Sequence, residues 1–259
     1  MKTGGDVKRA LALAAVACVF PWACSSGPST AIAPTARFAL AGDAPPNFLD
    51  VPFPSDAYLA NGKIIDPIPG VDAFVNHNAE YLTHELGKAN GFGQAELAIF
   101  LVDDPTAPAG DDGHPGPAAI DPASLPIDED ACVADTSSVF LIDLAPTDPT
   151  KARVRCRGRF HDDTATSSAR PVVAVGPGLG IVLEEGHSYA AVLTSRLRDL
   201  TGAHVVASAD FQALLAGTRS GTLGALYGHA IDTVQTALGR PSRATARRSW
   251  RSRRSPRRA

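Results

Sequence analysis

The sequence predicts a mainly β fold with peripheral helices, an α+β class in which a sandwich-like domain follows a signal peptide. Short apolar or alternating runs dominate the middle of the chain, whereas helical periodicity occurs near its two ends. Strands do not alternate regularly with long helices, which argues against a doubly wound parallel sheet. The content of 44% hydrophobic and 20% charged residues is that of an ordinary globular protein.

The N-terminal segment has the composition of a bacterial export signal. Lys2, Lys8 and Arg9 precede an uninterrupted apolar run over residues 10–20. A helix needs about 18 apolar residues or more to span a bilayer, so this run is too short for that. A buried core helix is the alternative, but the run begins near the start of the chain and has no polar face. Residues 1–23 are therefore interpreted as a signal peptide.

Two cysteines are candidates for lipid attachment. Residues 23–30 (Ala-Cys-Ser-Ser-Gly-Pro-Ser-Thr) resemble the lipobox junction of bacterial lipoproteins, in which the cysteine becomes the lipidated first residue. Cys24 has the better downstream tether and is favoured, whereas Cys18 has the better upstream triplet. Residues 24–47 are small, polar and Pro-rich, which predicts a flexible tether. Lipidation predicts a cell-envelope protein held on a membrane and facing the periplasm or the exterior.

The β-rich domain is predicted to span residues 48–239. Residues 48–70 are punctuated by proline and extended, and Asp72–Lys88 has helical spacing of apolar side chains. The strand candidates are residues 96–102, 137–144, 152–160, 171–175, 180–184 and 189–194.

Two further helices are predicted near the end of the domain. Residues 208–216 have Asp210 as a candidate cap, and residues 221–239 carry an apolar stripe. The Gly-x-Ser-x-Gly elbow of α/β-hydrolases is absent, since the nearest match, residues 217–221, has the wrong spacing. Ser220 is therefore interpreted as the cap of the last helix rather than as a nucleophile.

Only two cysteines, Cys132 and Cys156, lie in the predicted mature domain. An exported compartment permits disulfides, so we predict a bridge between them. The closed loop of about 25 residues would stabilise the fold by roughly 3 kcal/mol in the chain-entropy model. Two buried free thiols, or half of a metal site, are the alternatives.

Two patterns raise the question of metal binding. His77, Glu80 and His84 share one face of the first predicted helix, a spacing that suits a cation but equally suits a solvated face. Residues 103–130 are rich in aspartate, and loop carboxylates can bind Ca²⁺. No register fits the EF-hand pattern, so a solvated acidic loop is the preferred interpretation. We predict no metal and no cofactor.

Two other motifs are only superficially catalytic. Residues 176–180 (Gly-Pro-Gly-Leu-Gly) lack the spacing of a dinucleotide-binding loop and precede a predicted strand, so they indicate a turn. His161, Asp162 and Asp163 combine acid and base groups, but in a polar stretch they indicate a surface loop.

The charge distribution is asymmetric. Residues 25–239 hold 12 Lys and Arg against 26 Asp and Glu, a net charge of −14, which argues against binding of nucleic acid. Residues 240–259 hold nine arginines and no acid. A basic arm for nucleic acid or an anionic membrane is one interpretation. The abrupt loss of apolar patterning after Gly239 favours a frameshift or a premature end.

Four stretches together carry a family resemblance. They are residues 51–58 (Val-Pro-Phe-Pro-Ser-Asp-Ala-Tyr), 66–70 (Asp-Pro-Ile-Pro-Gly), 91–93 (Gly-Phe-Gly) and 189–199 (Tyr-Ala-Ala-Val-Leu-Thr-Ser-Arg-Leu-Arg-Asp). The chain resembles, over about residues 40–239, the N-terminal domain of bacterial virulence-factor lipase-like lipoproteins and related lipoproteins of myxobacteria. In that family an α/β-hydrolase domain with the serine nucleophile follows this domain. The resemblance therefore assigns no catalytic residue here.

The Pro-Phe-Pro motif also has a structural interpretation. Pro52 and Pro54 favour an extended backbone, Phe53 can anchor it in a core, and Asp56 can cap the next turn. The leading hypothesis is an exported, lipid-anchored accessory domain, cut short from a lipase- or esterase-like protein and not itself catalytic. The alternatives are a stand-alone surface-binding or adhesion-like module, and a hydrolase with an unrecognised site.

Overall fold

The computed structural model describes residues 32–72, 88, 92–162 and 170–239. The strands of this part of the chain are β1 Thr35–Ala36, β2 Leu59–Ala60, β3 Lys63–Ile64, β4 Ala98–Phe100, β5 Val102–Asp103, β6 Val139–Asp143, β7 Arg153–Val154, β8 Cys156–His161, β9 Val172–Pro177, β10 Tyr189–Leu193 and β11 Val206–Ala207. Its α-helices are α1 Glu129–Val133, α2 Ala209–Ala216 and α3 Gly221–Ala237, and its 3-10 turns are Asp56–Tyr58, Pro122–Ser124 and Pro149–Lys151. The predicted mainly β class with peripheral helices is confirmed.

Two antiparallel three-stranded sheets form the centre of the fold. In one, β6 lies between β10 and β7, and in the other, β9 lies between β4 and β8. Only Arg155 separates β7 from β8, so one extended segment leaves the first sheet and enters the second. Apolar side chains of both sheets share one core, including Val139, Leu141, Val173 and Val175. The sandwich-like arrangement stays a prediction.

The strand β6 is buried along its whole length. Val139 and Leu141 join the core shared by the two sheets, whereas Phe140 and Ile142 pack with apolar side chains near the end of α3. Because both faces are covered, the first four residues of the strand form an unbroken apolar run rather than an alternating one. Full burial of each such side chain stabilises the fold by about 1.5–3 kcal/mol.

The predicted flexible tether, residues 24–47, is wrong in its second half. The strand β1 pairs with both β11 and β5, and Phe38 and Leu40 are buried in a core that also contains the Pro-Phe-Pro motif. The Phe38 ring makes edge contacts with Phe211 and Tyr227, at centroid distances of 5.2 and 5.0 Å. The apolar pattern of this segment is too short to distinguish a strand from a linker.

A tight hairpin interrupts the region predicted to be simply extended. The strands β2 and β3 pair antiparallel, and Asn61 and Gly62 connect them with φ values of 54° and 75°. Two central residues with positive φ define the type I′ turn that matches the twist of a hairpin, and Asn-Gly is its preferred sequence. The dipeptide was therefore a local signal for this hairpin.

The predicted strand at residues 180–184 is wrong. Ile181 N–H donates to Gly178 O (3.1 Å) in a turn, and Leu183 N–H donates to Gln94 O (3.4 Å). The preceding strand β9 already pairs with β4 on one edge and β8 on the other. No edge of β9 is therefore open to a hairpin partner that follows it directly.

The cap of α2 also differs from the prediction. Ser208, not Asp210, is the cap: its Oγ accepts from Phe211 N–H (3.3 Å) and donates to Phe38 O (2.6 Å). Asp210 instead accepts a hydrogen bond from Leu40 N–H (2.7 Å). Both residues therefore tie α2 to the segment after β1.

Replacing Ser208 by Ala is expected to lower the free energy of unfolding by about 1–2 kcal/mol, because a capping bond and a bond to Phe38 are both lost. Ser220 is a matched control, since it occupies the cap position of α3, is exposed and makes no side-chain capping bond. Its replacement by Ala is expected to change stability by a few tenths of a kcal/mol. Urea unfolding compares the two variants, and equal losses would contradict the assignment.

Several sequence predictions fall beyond the described residues. These are most of the helix candidate Asp72–Lys88, the signal segment 1–23 with Cys18, the lipidation candidate Cys24, and the arginine-rich tail 240–259. Within the described ranges, no helix combines the length and apolar character needed to cross a bilayer.

Candidate functional site

The Pro-Phe-Pro motif extends a sheet by one residue. Phe53 N–H donates to Ile99 O (3.1 Å), and Ile99 N–H donates to Phe53 O (2.7 Å). Neither Pro52 nor Pro54 has an N–H to donate, so the pairing with β4 ends there. The Phe53 ring lies in a buried aromatic cluster, with contacts to Phe48, Tyr58 and Phe92. The motif therefore fastens the N-terminal segment to the core.

Ser55, rather than Asp56, caps the 3-10 turn after the motif. Its Oγ accepts from Ala57 N–H (3.3 Å) and lies 2.7 Å from the hydroxyl of Tyr227 on α3. Burial raises the pKa of Tyr227 to about 12, so its hydroxyl stays protonated at neutral pH. The prediction that Asp56 caps this turn is wrong. Both adjacent side chains are able to cap, but only Ser55 has the extended backbone conformation that the cap position requires.

A buried ionic network surrounds Arg37. Its guanidinium donates to Asp103 through Nε (3.0 Å) and Nη2 (2.5 Å), and to Asp112 through Nη1 (2.6 Å). Arg170 donates to the same oxygen of Asp112 (2.7 Å). The Arg37 side chain is 3% exposed, and those of Asp103 and Asp112 are nearly as buried. The network holds the aspartate-rich loop onto β1.

The charges of this network stabilise one another. Burial alone would raise the pKa of Asp112, but hydrogen bonds from Arg37 and Arg170 outweigh it and hold the pKa below its usual value. Burial likewise opposes the charge of Arg37, yet its bonds to Asp103 raise the pKa further. The predicted solvated acidic loop is therefore wrong for Asp103 and Asp112. Every acid in the network is already engaged, so the site is structural.

A cleft of about 330 Å³ lies between residues 126–129, residues 157–159 and Leu179. We call it the Arg157 cleft. It is bordered by two apolar side chains that are strongly exposed, Ile127 at 94% and Leu179 at 72%. Its volume falls at the lower end of the range for small-molecule sites, about 300–1,000 Å³.

Arg157 supplies the unusual polar group of this cleft. Its Nε is buried and has no hydrogen-bond partner among the described residues. Buried donors are nearly always paired, and an unpaired one costs about 1–3 kcal/mol. Arg159, two residues along β8, lines the same cleft and is exposed. In sequence, the alternation Cys-Arg-Gly-Arg-Phe predicted a strand but not an unpaired arginine.

The walls of the Arg157 cleft are fixed by two contacts. Glu129 Oε1 accepts a hydrogen bond from Leu179 N–H (3.0 Å), and a Cβ placed on Gly178 would lie 2.6 Å from Glu129 Cγ. Only glycine permits this approach at position 178. The predicted disulfide between Cys132 and Cys156 is confirmed, and it joins α1 to the start of β8. The bridge therefore connects the two elements that carry Glu129 and Arg157.

A second charged cluster surrounds His187. Its Nδ1 lies 2.9 Å from Asp143 Oδ2, and its Nε2 lies 3.3 Å from Glu184 Oε2. The hydrogen bond to Asp143 raises the pKa of His187, opposed by desolvation. Because both ring nitrogens face carboxylates, the cationic imidazolium is favoured over the neutral form that a general base requires.

Replacing Asp143 by Asn is expected to lower the pKa of His187, because the largest contribution to its increase is removed. A histidine with a raised pKa stabilises the fold fully below its unfolded value of about 6.5, and that stabilisation disappears as the pH rises through the folded pKa. NMR titration of the imidazole proton of His187 in the wild type and in Asp143→Asn measures the shift. An unchanged or higher pKa in the variant would refute the pairing.

The other sequence candidates are not brought together. His161 ends β8 and is exposed, Asp163 lies outside the described residues, and Ser220 begins α3 without contacting a histidine in the described part. The turn predicted at residues 176–180 is confirmed only in part: Gly176 belongs to β9, and the turn begins at Gly178. The possible ligands His77, Glu80 and His84 are not among the described residues. Elsewhere in the described ranges, no three His, Cys, Asp or Glu side chains are grouped as a metal site.

No protein-family model, curated protein or solved structure matches this chain. The resemblance to the lipase N-terminal domain therefore stays a prediction. Among the groups described above, the Arg157 cleft combines an unpaired cationic donor, exposed apolar borders and a volume that accommodates a small molecule. It is the candidate functional site.

Proposed function

We propose that this chain is an exported, lipid-anchored accessory domain of a lipase- or esterase-like protein, and that it binds rather than catalyses. The observation that carries the proposal is the Cys132–Cys156 disulfide, whose residues are both fully buried. Structural disulfides form in oxidising compartments and are rare in the cytosol. The basic and apolar N-terminal segment, with its two cysteines, supports the same location outside the cytosol.

The absence of catalysis is proposed from the chemistry of the described polar groups. A serine hydrolase needs a neutral imidazole within hydrogen-bond reach of the nucleophile. His187 instead has a carboxylate at each ring nitrogen, and among the described residues no histidine ring is hydrogen-bonded to a serine hydroxyl. The resemblance places the nucleophile of such proteins in a separate domain, which is the proposed partner.

Metabolic labelling with palmitate tests the lipid anchor. We expect label in the wild type and in Cys18→Ser, and loss of label in Cys24→Ser, because only a cysteine thiol receives the lipid. Loss of label in Cys18→Ser alone would show that Cys18, and not Cys24, carries the lipid. An unlabelled wild type, with the protein present by immunoblot, would overturn the proposal of a lipoprotein.

A p-nitrophenyl ester assay tests the non-catalytic role. The purified chain is expected to show no hydrolysis above buffer. Ester hydrolysis that persists through purification and is lost in His187→Ala or His114→Ala would contradict the non-catalytic role and show that the chain is a hydrolase.

The stand-alone surface-binding module remains a second candidate, favoured by the exposed apolar borders of the Arg157 cleft. The test is to express the chain with and without an α/β-hydrolase domain fused after Gly239. A gain in hydrolase yield or activity from the fusion supports the accessory role, whereas equal yield and activity favour the stand-alone module.

A further inference from the structure

We infer that the outer edge of strand β10 pairs antiparallel with the same edge of a second copy of this chain, about a two-fold axis at Ala191. In its sheet, β10 lies at one end and pairs only with β6. A strand in that position presents a row of backbone donors and acceptors that matches another extended strand. Pairing of two copies would join their sheets into one continuous sheet across the axis.

Hydrogen bonds at both ends of β10 show which of its backbone groups face away from β6. Leu144 N–H donates to Ser188 O (2.8 Å), and Thr194 N–H donates to Ser138 O (2.9 Å). Because alternate residues of an antiparallel strand bond to its partner, the even-numbered residues face β6 and the odd-numbered ones face outward. Within the described ranges, the outward N–H groups have no acceptor. They belong to Tyr189, Ala191 and Leu193.

The edge of β10 is accessible and is not shielded by its own sequence. All five residues of β10 are partly exposed, whereas the neighbouring β6 is buried throughout. Native sheets commonly protect an edge strand with a charged side chain, a proline or a bulge. The sequence Tyr-Ala-Ala-Val-Leu has no charge and no proline, and its register with β6 is unbroken. The strand is therefore suited to accept a further strand.

The strand β10 is self-complementary in an antiparallel pair. With Ala191 opposite its own copy, Tyr189 of each chain lies opposite Leu193 of the other, so every outward N–H meets an outward carbonyl. An aromatic side chain opposite an aliphatic one stabilises a sheet. The small side chain of Ala191 lies at the axis, where two identical side chains meet. Such a two-fold pair is closed, because it leaves neither edge to a third copy.

The charges that flank β10 favour the antiparallel arrangement of two copies. Glu184 and Glu185 precede the strand, Arg196 and Arg198 follow it, and all four are exposed. Antiparallel pairing brings the acidic end of each copy to the basic end of the other, whereas parallel pairing brings like charges together. Glu184 already lies 3.3 Å from His187, but Glu185 and Arg196 form no ion pair in the described part of the chain. Those two charges are therefore available to a second copy.

Sedimentation equilibrium of the full chain in a density-matched non-ionic detergent tests the inference. We expect a monomer–dimer equilibrium with a Kd of about 100 µM, because a single pair of strands is a small interface. Ala191→Pro removes the central outward N–H without removing a bond to β6, so it is expected to weaken dimerisation by about tenfold or more. Circular dichroism shows whether the variant is folded.

Charge reversals test the arrangement while leaving β10 itself unchanged. Glu185→Arg and Arg196→Glu each place like charges at both ends of the antiparallel pair, so each should weaken dimerisation by about fivefold. The combined substitution restores opposite charges and should return the Kd to within about twofold of the wild type. In a parallel pair the single reversals would change nothing, since like charges already meet there.

Two cysteine variants test the register. The Cα atoms of a hydrogen-bonded antiparallel pair lie about 5.5 Å apart, within the range of a disulfide, so Ala191→Cys should give a covalent dimer on mild oxidation. Ala190→Cys is the matched control. Its two copies would lie diagonally, at about 7–8 Å, which is beyond the reach of a bridge, so the chain should remain monomeric on denaturing gels.

Three results would overturn the inference: a wild type that is monomeric at about 1 mM, equal crosslinking of the two cysteine variants, or full dimerisation of a folded Ala191→Pro. If Ala191→Pro does not fold, the charge reversals and the cysteine variants decide the question. A monomeric wild type that binds an extended peptide of alternating Val and Thr would also overturn it, and would assign the edge of β10 to a different partner.

Discussion

Replacing Arg37 by Met is expected to lower the free energy of unfolding by about 3–5 kcal/mol. The substitution keeps an apolar stem of similar length but removes the cation from Asp103 and Asp112. Both carboxylates are largely excluded from solvent, so each would be left as a buried charge without its principal partner. Denaturation by urea, followed by circular dichroism, measures the loss. Stability of a domain of this size is about 5–15 kcal/mol, so the effect is a large fraction of the whole.

An exposed ion pair provides the control for Arg37. Arg155→Gln breaks the pair with Asp130, in which both side chains are more than half exposed. Surface pairs contribute about 0–1 kcal/mol, so the loss should be several times smaller. Similar losses in the two variants would show that the Arg37 network is not buried in solution. Loss of the fold in Arg37→Met, with Arg37→Lys retaining part of the stability, would agree with the prediction.

Acid should weaken the same network. Hydrogen bonds from the two arginines lower the pKa of Asp112 despite burial. A carboxyl with a lowered folded pKa stabilises the fold above its unfolded value of about 3.9, and the stabilisation is lost as the pH falls through the folded pKa. The difference in stability between the wild type and Asp112→Asn should therefore decrease as the pH falls below about 4.

The strands were predictable from sequence where local pattern and burial agree. Residues 139–142 are apolar because both faces of their strand are covered, and Cys156–His161 alternates because one face is open. Their pairing partners were not predictable, because a strand pattern does not specify which edge it joins. The disulfide was predictable because only two cysteines remained after the signal segment.

The Arg37 network and the Arg157 cleft were not predictable, for a common reason. Asp103 and Asp112 are indistinguishable in sequence from their neighbours Asp104 and Asp111, and only contact with an arginine 66 residues earlier than Asp103 buries them. Arg157 likewise resembles any outward arginine of a strand. Its lack of a partner depends on where segments 126–129 and 178–179 come to lie. Such features are properties of tertiary arrangement rather than of local pattern.

Replacing Cys132 and Cys156 together by Ala is expected to lower the free energy of unfolding by about 3 kcal/mol or more. The chain-entropy term for a bridge with a sequence separation of 24 accounts for roughly 3 kcal/mol. The double substitution also removes two fully buried sulfur atoms from the core shared by the central sheets. Thermal unfolding of the variant, beside the wild type, measures the effect.

The double variant is preferred to chemical reduction of the disulfide. Buried sulfur atoms resist dithiothreitol until the protein unfolds, so an unchanged stability after treatment could mean only that the bridge was never reduced. A Val133→Ala variant is the matched control, since it shortens an apolar side chain in the same helix, α1, and retains the bridge. Its loss is expected to be about 1 kcal/mol. An unchanged melting temperature in the double variant would mean that packing alone positions these two elements, and the bridge would then have no structural role in the cleft.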